Sequence, residues 1–330
     1  MKTPTILLSR SHVESLLSVE ECIHAVENVF RLLGEGLAKT PGMLGIHVPK
    51  GGFHTKAGML SIHGHNYFVT KTNANFPGNP NQLNLPTIQG IIAVSDADNG
   101  RLLALVDSIH ITVLRTGAAT AVAAKYLSKP DAKNVTIIGC GNQGRISIHM
   151  LMTVRSIKRV FVYDRDREIA SKLAEEMRQR HPIGFIPVDE LADAVAESDI
   201  IVTCTTSRHP IVRKDWISQG TFIAAVGADS EEKQEIEASL TASCKIVTDL
   251  TEQCALIGEL HHAIEAGLAT RDSVYAELGS IVASRCAGRT DPHEIILFDS
   301  TGMALQDVAS TVLVYEKASG RSATTFDFME

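Results

Sequence analysis

VTIIGCGNQG, residues 135–144, decides the fold. Val135 to Ile138 are apolar or β-branched and suit a buried strand. Glycines follow at 139, 141 and 144, and RISIHMLM (145–152) reads as the helix after them. In a strand–turn–helix, Gly139 permits the tight turn and Gly141 lets the backbone approach a pyrophosphate. Gly144 lets helix and strand pack closely, and the helix start offers N–H groups to the phosphates. The next apolar run, VFVYD, ends at Asp164, 20 residues beyond Gly144, where a carboxylate accepts hydrogen bonds from a ribose 2′-hydroxyl. The stretch therefore predicts a dinucleotide site. Asp164 repels a 2′-phosphate and favours NAD(H). Arg165 and Arg167 follow at once and keep NADP(H) possible. The plain alternative is a strand–turn–helix that holds no ligand.

Outward from this stretch the rhythm is regular. Strands are predicted at 135–139, 160–163, 200–204, 222–226, 245–248 and 295–298, with amphipathic helices such as REIASKLAEEMRQR (167–180) between most of them. The pattern specifies an α/β fold, a doubly wound parallel sheet covered on both faces. Upstream the texture differs. Ser18-Val19-Glu20-Glu21 is a capping box that opens a helix, with Gly34 as its stop. Residues 41–100 are dense in glycine, proline and asparagine around the β-like runs YFVTK and IQGIIAVSD, which predicts a sheet with long loops. LRTGAATAVAAKYLSK (114–129) is a small-residue helix ending near Pro130.

With 330 residues the chain has room for about two domains. A net charge of −7 gives no electrostatic footprint for nucleic acid or an anionic membrane, so neither is expected as a partner. No apolar run is long enough for a transmembrane helix, and the N-terminus lacks the apolar core of a signal peptide. The six cysteines include no C-x-x-C pair and read as reduced thiols of a cytoplasmic protein. His63-Gly-His65 and His261-His262 show no cysteine or carboxylate cluster at ligand spacing, so no metal is expected.

A small acidic substrate needs fixed cations, and Lys56, Lys71 and Arg115 stand in apolar or glycine-rich strand ends, not in charge runs. Each alternatively reads as a solvated surface charge. In a closed site Lys71 would also serve as a proton donor. AAVGADSEEKQEIE (224–237) follows a predicted strand, and ligands sit at the carboxyl ends of such strands. Asp229 is the candidate general base or electrostatic partner there, with Lys233 nearby; its alternative is a turn aspartate capping the next helix. Ser300 and Thr301 lie at a similar strand end.

TKTNANFPGNP, LPTIQG, VLRTGAATAVAAKYL, IGCGNQG, VGADSEEKQEI and FDSTGMALQD, in this order over most of the chain, resemble the motif series of the ornithine cyclodeaminase/mu-crystallin family. The resemblance implies a Rossmann domain (119–302) inserted in a discontinuous α+β substrate-binding and dimerisation domain (1–118 plus 303–330), and a homodimer. It implies that Lys71 binds substrate and that Asp229 is catalytic. Thr87, Arg115, Thr116, Asn142, Gln143, Asp164, Thr206, Lys233 and Ser300 match positions that contact the dinucleotide, beside Gly139, Gly141, Gly144, Arg165, Val226 and Gly227. Arg115 then reads as a cofactor-phosphate ligand that can also touch substrate, and Lys56 lies where members vary with substrate. The implied activity is an NAD(P)-dependent oxidoreductase at the Cα–N bond of a small amino or imino acid, an amino-acid dehydrogenase or imino-acid reductase. The alternatives are an ornithine cyclodeaminase and a crystallin-like dinucleotide-binding protein without turnover. One departure bears on substrate: GGFHTKAGML (51–60) holds His54 and Lys56 but no acid for a second, cationic amine. Alanine, proline-like cyclic imines and iminosuccinate are the expected substrates.

Overall fold

The computed structural model describes residues 4–38, 41–320 and 323–328, with the backbone alone at Asn81. The ends of the first predicted domain, 1–3 and 329–330, lie outside them. The chain divides into two compact units. One comprises Met1–Val29, Gly36–Arg115 and Met303–Glu330; the other comprises Phe30–Glu35 and Thr116–Gly302.

In the first unit, seven strands among the described residues form one sheet. Their order is Thr324–Phe326, Thr5–Leu8, Leu102–Asp107, Ile88–Asp96, His65–Asn75, Gly51–Ile62 and Leu44–Val48. Its longest strands form the hairpin Gly51–Ile62/His65–Asn75, which turns through His63 and Gly64 with φ of 50° and 82°. Both values are left-handed, as a two-residue turn matching the strands' twist requires. Side chains alternate across this sheet. Leu60, Tyr67, Val69, Lys71, Ile92 and Val94 share the buried face. The helix Ala304–Ala318 covers that face, and Gly58 has no side chain where Leu305 and Val308 press in. The opposite face carries Leu44, Ile46, Phe53, Met59, Phe68 and Ile91, all exposed.

The capping box forms: Ser18 N donates to Glu21 Oε2 at 3.1 Å and Glu21 N to Ser18 Oγ at 3.3 Å. The helix it opens, Val19–Glu35, runs past Gly34 and stops at Gly36, whose φ is 76°. Gly34 serves packing instead of termination, because a Cβ there would overlap the Gly279 carbonyl.

The second unit is the predicted parallel sheet. Among the described residues it has eight strands, all parallel, in the order Val274–Glu277, Lys245–Thr248, Ile296–Asp299, Phe222–Ala225, Ile200–Thr203, Asn134–Ile138, Arg159–Tyr163 and Gly184–Pro187. The central strands Ile200–Thr203, Phe222–Ala225 and Ile296–Asp299 are buried at every residue. Such continuous apolar runs are what two-sided burial selects. Strands after Asn134–Ile138 are added first on one side of it and then, from Ile200–Thr203 on, on the other, and the crevice beyond the carboxyl ends at such a switch is where doubly wound sheets bind ligands. A separate parallel pair joins Arg208–Val212 to Gln234–Ile236. No helix of the described residues is long and apolar enough to cross a membrane.

Candidate active site

At the switch point, Gly139 has a φ of 103°, a conformation glycine adopts without strain. Gly144 packs so closely that a Cβ would meet the Gly139 carbonyl oxygen. At Gly141 a Cβ would meet nothing within 4 Å, so the space above it is open. Gly141 is also the N-cap of the helix Asn142–Val154, and no side chain caps that end. Its first N–H groups are therefore left for an anion. Gln143 Oε1 is buried with no hydrogen-bond partner, and Asn142 is exposed. An open approach and an uncapped helix start fit a dinucleotide's pyrophosphate.

Asp164 directly follows the adjacent strand, and its Oδ2 accepts from Cys140 N at 2.9 Å and its Oδ1 from Asp166 N at 3.1 Å. The carboxylate is thus fixed against the glycine loop. Arg165 is exposed, while Arg167 is drawn off to Asp189 at 2.6 Å.

Across the switch point, a residue the sequence reading passed over organises two loops. Glu235, fully buried, accepts from Thr205 N at 2.5 Å and from Gly227 N at 3.1 Å. It ties the loop with exposed Thr206 to the loop that runs Val226-Gly227 toward Asp229. Glu259 in turn accepts from Glu235 N at 2.8 Å and Ile236 N at 3.1 Å. Burial pushes both carboxyls up, and it pushes Asp299 up to about 7. Asp229 caps no helix among the described residues, since the chain goes from turns into the strand Gln234–Ile236. Its carboxylate pairs with Lys233 Nζ at 2.5 Å, and Lys233 Nζ also donates to Gly227 O at 3.4 Å. Ser300 Oγ donates to Asp249 Oδ2 at 3.0 Å, and the same oxygen accepts from Gly302 N at 2.6 Å. Asp249, missed in the sequence, thereby shapes the turn that presents Ser300.

His262 Nε2 donates to Lys233 O at 2.7 Å. Contrary to the expectation that no carboxylate stands at ligand spacing, Glu265 Oε2 lies 3.4 Å from His261 Nε2 and 4.0 Å from His262 Nδ1. The three residues could hold an ion by geometry. The i+3 and i+4 spacing on one helical face is present in the sequence itself.

The first unit holds the cations. Lys71 Nζ lies 2.7 Å from Asp307 Oδ2, and Arg115 Nε donates to Asp307 Oδ1 at 3.1 Å. Arg115 Nη1 donates to Gln306 Oε1 at 3.1 Å. All are buried. Burial draws Lys71 down to about 7, with Asp307 opposing and Arg115 and Lys56 reinforcing. Lys56 is the half-buried cross-strand register partner of Lys71. Thr87 is half-buried just before the strand Ile88–Asp96, and its carbonyl accepts from Phe76 N at 2.8 Å. Thr116 is buried and begins the longer segment of the second unit. The sequence thus named Lys71, Arg115 and Lys56, and missed Asp307 and Gln306, which hold two of them.

The sequence profile of the ornithine cyclodeaminase/mu-crystallin family matches residues 3–322. An alanine dehydrogenase of Archaeoglobus fulgidus is 35% identical over 318 residues, covering 96% of each chain. The structure of an archaeal alanine dehydrogenase dimer with bound NAD superposes with a TM-score of 0.94 at 35% identity, covering 99% of this chain and 100% of that one. A Thermococcus litoralis Δ1-pyrroline-2-carboxylate reductase in complex with NADH and L-proline gives 0.93 at 34% identity, over 98% and 100% of the two chains.

Proposed function

The chain belongs to the ornithine cyclodeaminase/mu-crystallin family, and from that premise we propose that it is an NAD(H)-dependent oxidoreductase acting at the Cα–N bond of a small amino or imino acid. The observation that carries the reading is the phosphate cradle: open space at Gly141 and an uncapped helix start at a switch point. Relatives of the same fold bind NAD or NADH.

When bound, the dinucleotide supplies a hydride donor or acceptor at its nicotinamide. The chain supplies the rest. Gly139, Gly141, Asn142, Gln143 and Gly144 seat the pyrophosphate, and Asp164 takes the ribose hydroxyls. Thr87, Thr116, Thr206, Val226, Gly227, Lys233 and Ser300 complete the cofactor contacts. Lys71 and Arg115 receive the substrate carboxylate. With its ionisation drawn to about 7, Lys71 is also able to pass a proton at neutral pH. Asp229 steadies the cationic nitrogen and accepts a proton from water or amine. Lys56 tunes the site toward substrates with neutral or acidic side chains. A reducing compartment, the cytoplasm, suits six free cysteines.

Asp164 sets cofactor choice. The wild type is expected to have the higher kcat/KM with NADH, and Asp164→Ser should narrow the ratio to NADPH. Because Asp164 also anchors Cys140 N, the substitution will raise KM for both cofactors, so the ratio is the quantity to read. A wild type that prefers NADPH would hand the decision to Arg165.

The exposed apolar face of Leu44, Ile46, Phe53, Met59, Phe68 and Ile91 is the surface we assign to a homodimer. Apolar patches of this extent mark association sites, and closed two-fold dimers are the commonest assemblies. Light scattering should give twice the 35.6 kDa chain mass, and Phe68→Glu should give a monomer. A monomeric wild type at micromolar concentration refutes the assignment.

A screen of alanine and proline with NAD, and of cyclic imines and iminosuccinate with NADH, tests the activity, with products identified by mass. Ornithine converted to proline and ammonia at a kcat/KM above all of these would make the protein a cyclodeaminase. Binding of NADH without turnover of any of them would favour the crystallin-like alternative.

A further inference from the structure

The hairpin sets Lys56 directly opposite Lys71, and like charges at paired positions of a sheet repel. Arg115, on the helix Ser108–Leu127, adds a third cation. Lys71 is 4% exposed, so its ammonium is also stripped of water. Against these stands the carboxylate of Asp307. Asp307, on the helix Ala304–Ala318, contacts Lys71 at 2.7 Å with one oxygen and Arg115 at 3.1 Å with the other. It sits in that helix's first turn, where the macrodipole favours a negative charge. Burial raises Asp307, but the charges of Lys71 and Arg115 outweigh that and hold it below the usual carboxylate range. Two further neighbours, Thr112 and Cys22, add no charge. Thr112 Oγ1 accepts from Lys71 Nζ at 3.3 Å, and the Cys22 thiol, on the helix Val19–Glu35, is pushed by burial up to about 12.

We propose that Asp307 is a positioning residue: as the shared counter-ion of Lys71 and Arg115, it keeps Lys71 charged and aligned until the substrate carboxylate arrives. The proposal rests on the reading that Lys71 and Arg115 receive that carboxylate. Two cations on one carboxylate leave one positive charge over, which a monocarboxylate substrate neutralises. Once the substrate is bound, its own carboxylate shares the task, so the dependence on Asp307 belongs to the free enzyme. It falls on kcat/KM, and kcat at saturating substrate is affected less.

The sign follows. Lys71 works as an ammonium, so kcat/KM declines as pH rises through its ionisation. Removing Asp307 withdraws an opposing charge and moves that decline to lower pH. In Asp307→Asn, and in Asp307→Ser should the amide fold poorly, the alkaline limb of kcat/KM should move down by about one pH unit or more. At a pH above the wild-type limb this is about a tenfold loss. Asp307→Glu should restore the limb. A second readout needs no turnover: trace acetylation of the whole protein with acetic anhydride across pH, followed by peptide mass spectrometry, gives the midpoint at which Lys71 becomes nucleophilic. That midpoint should move with the limb. A loss of kcat/KM by the same factor at every pH, with the Lys71 midpoint unmoved, overturns the proposal and leaves Asp307 a structural residue. A midpoint that moves while the kcat/KM limb stays in place overturns instead the reading that Lys71 holds the substrate.

Discussion

Asp229→Asn should lower kcat by about 10²-fold or more while dinucleotide affinity survives, the size of a general acid–base contribution. Asp229 lies on the loop leaving the carboxyl end of the strand Phe222–Ala225 and pairs with Lys233 at 2.5 Å. The amide keeps the shape and removes the charge that steadies a cationic nitrogen. Lys233 retains its bond to the Gly227 carbonyl, so the loop should hold, and the loss should appear in kcat before KM. Near-normal turnover in the variant would take Asp229 out of the mechanism.

Lys71→Gln should lower kcat/KM by about 10²- to 10³-fold, mostly through a raised KM for the amino or imino acid. Breaking a buried ion pair by removing one partner costs about 3–5 kcal/mol, and the lost cation is also the one assigned to the substrate carboxylate. Asp307 keeps Arg115 as partner, which limits the damage to the fold. The dissociation constant for NADH should stay within about twofold, because Lys71 is assigned to the substrate and not to the dinucleotide. An unchanged KM for substrate would remove Lys71 from the site.

The phosphate cradle was legible because everything that makes it is local: a buried strand, three spaced glycines, a helix and an acid on the next strand. The central strands were legible for the same reason, although their ends were read one residue long at Gly139, Cys204 and Val226. Each of these still donates its N–H to a neighbouring strand while its chain leaves the sheet. The edge strands Gly184–Pro187 and Val274–Glu277 were missed; they are short and only partly buried, so no apolar run announces them. Gly34 was misread because a glycine near a helix end looks like a stop, and its contact with Gly279 comes from far along the chain. Asp307 shows the limit most clearly. It stood in a motif quoted from the sequence, yet its partners Lys71 and Arg115 precede it by most of the chain's length, and only the packing of the last helix on the hairpin joins them. Glu235 is similar: its role is to accept backbone N–H groups of two other loops, which no side-chain pattern encodes.

The proposed reaction is hydride transfer between a nicotinamide and the α-carbon of a small amino acid. Its most direct test is reduction of iminosuccinate, pyrroline-2-carboxylate and pyruvate with ammonia by NADH carrying two deuterons at C4, with mass spectrometry of the product. The account predicts an amino acid bearing one deuteron on its α-carbon, formed in step with NADH oxidation. An amino acid free of carbon-bound deuterium, or a 2-hydroxy acid in its place, would contradict it.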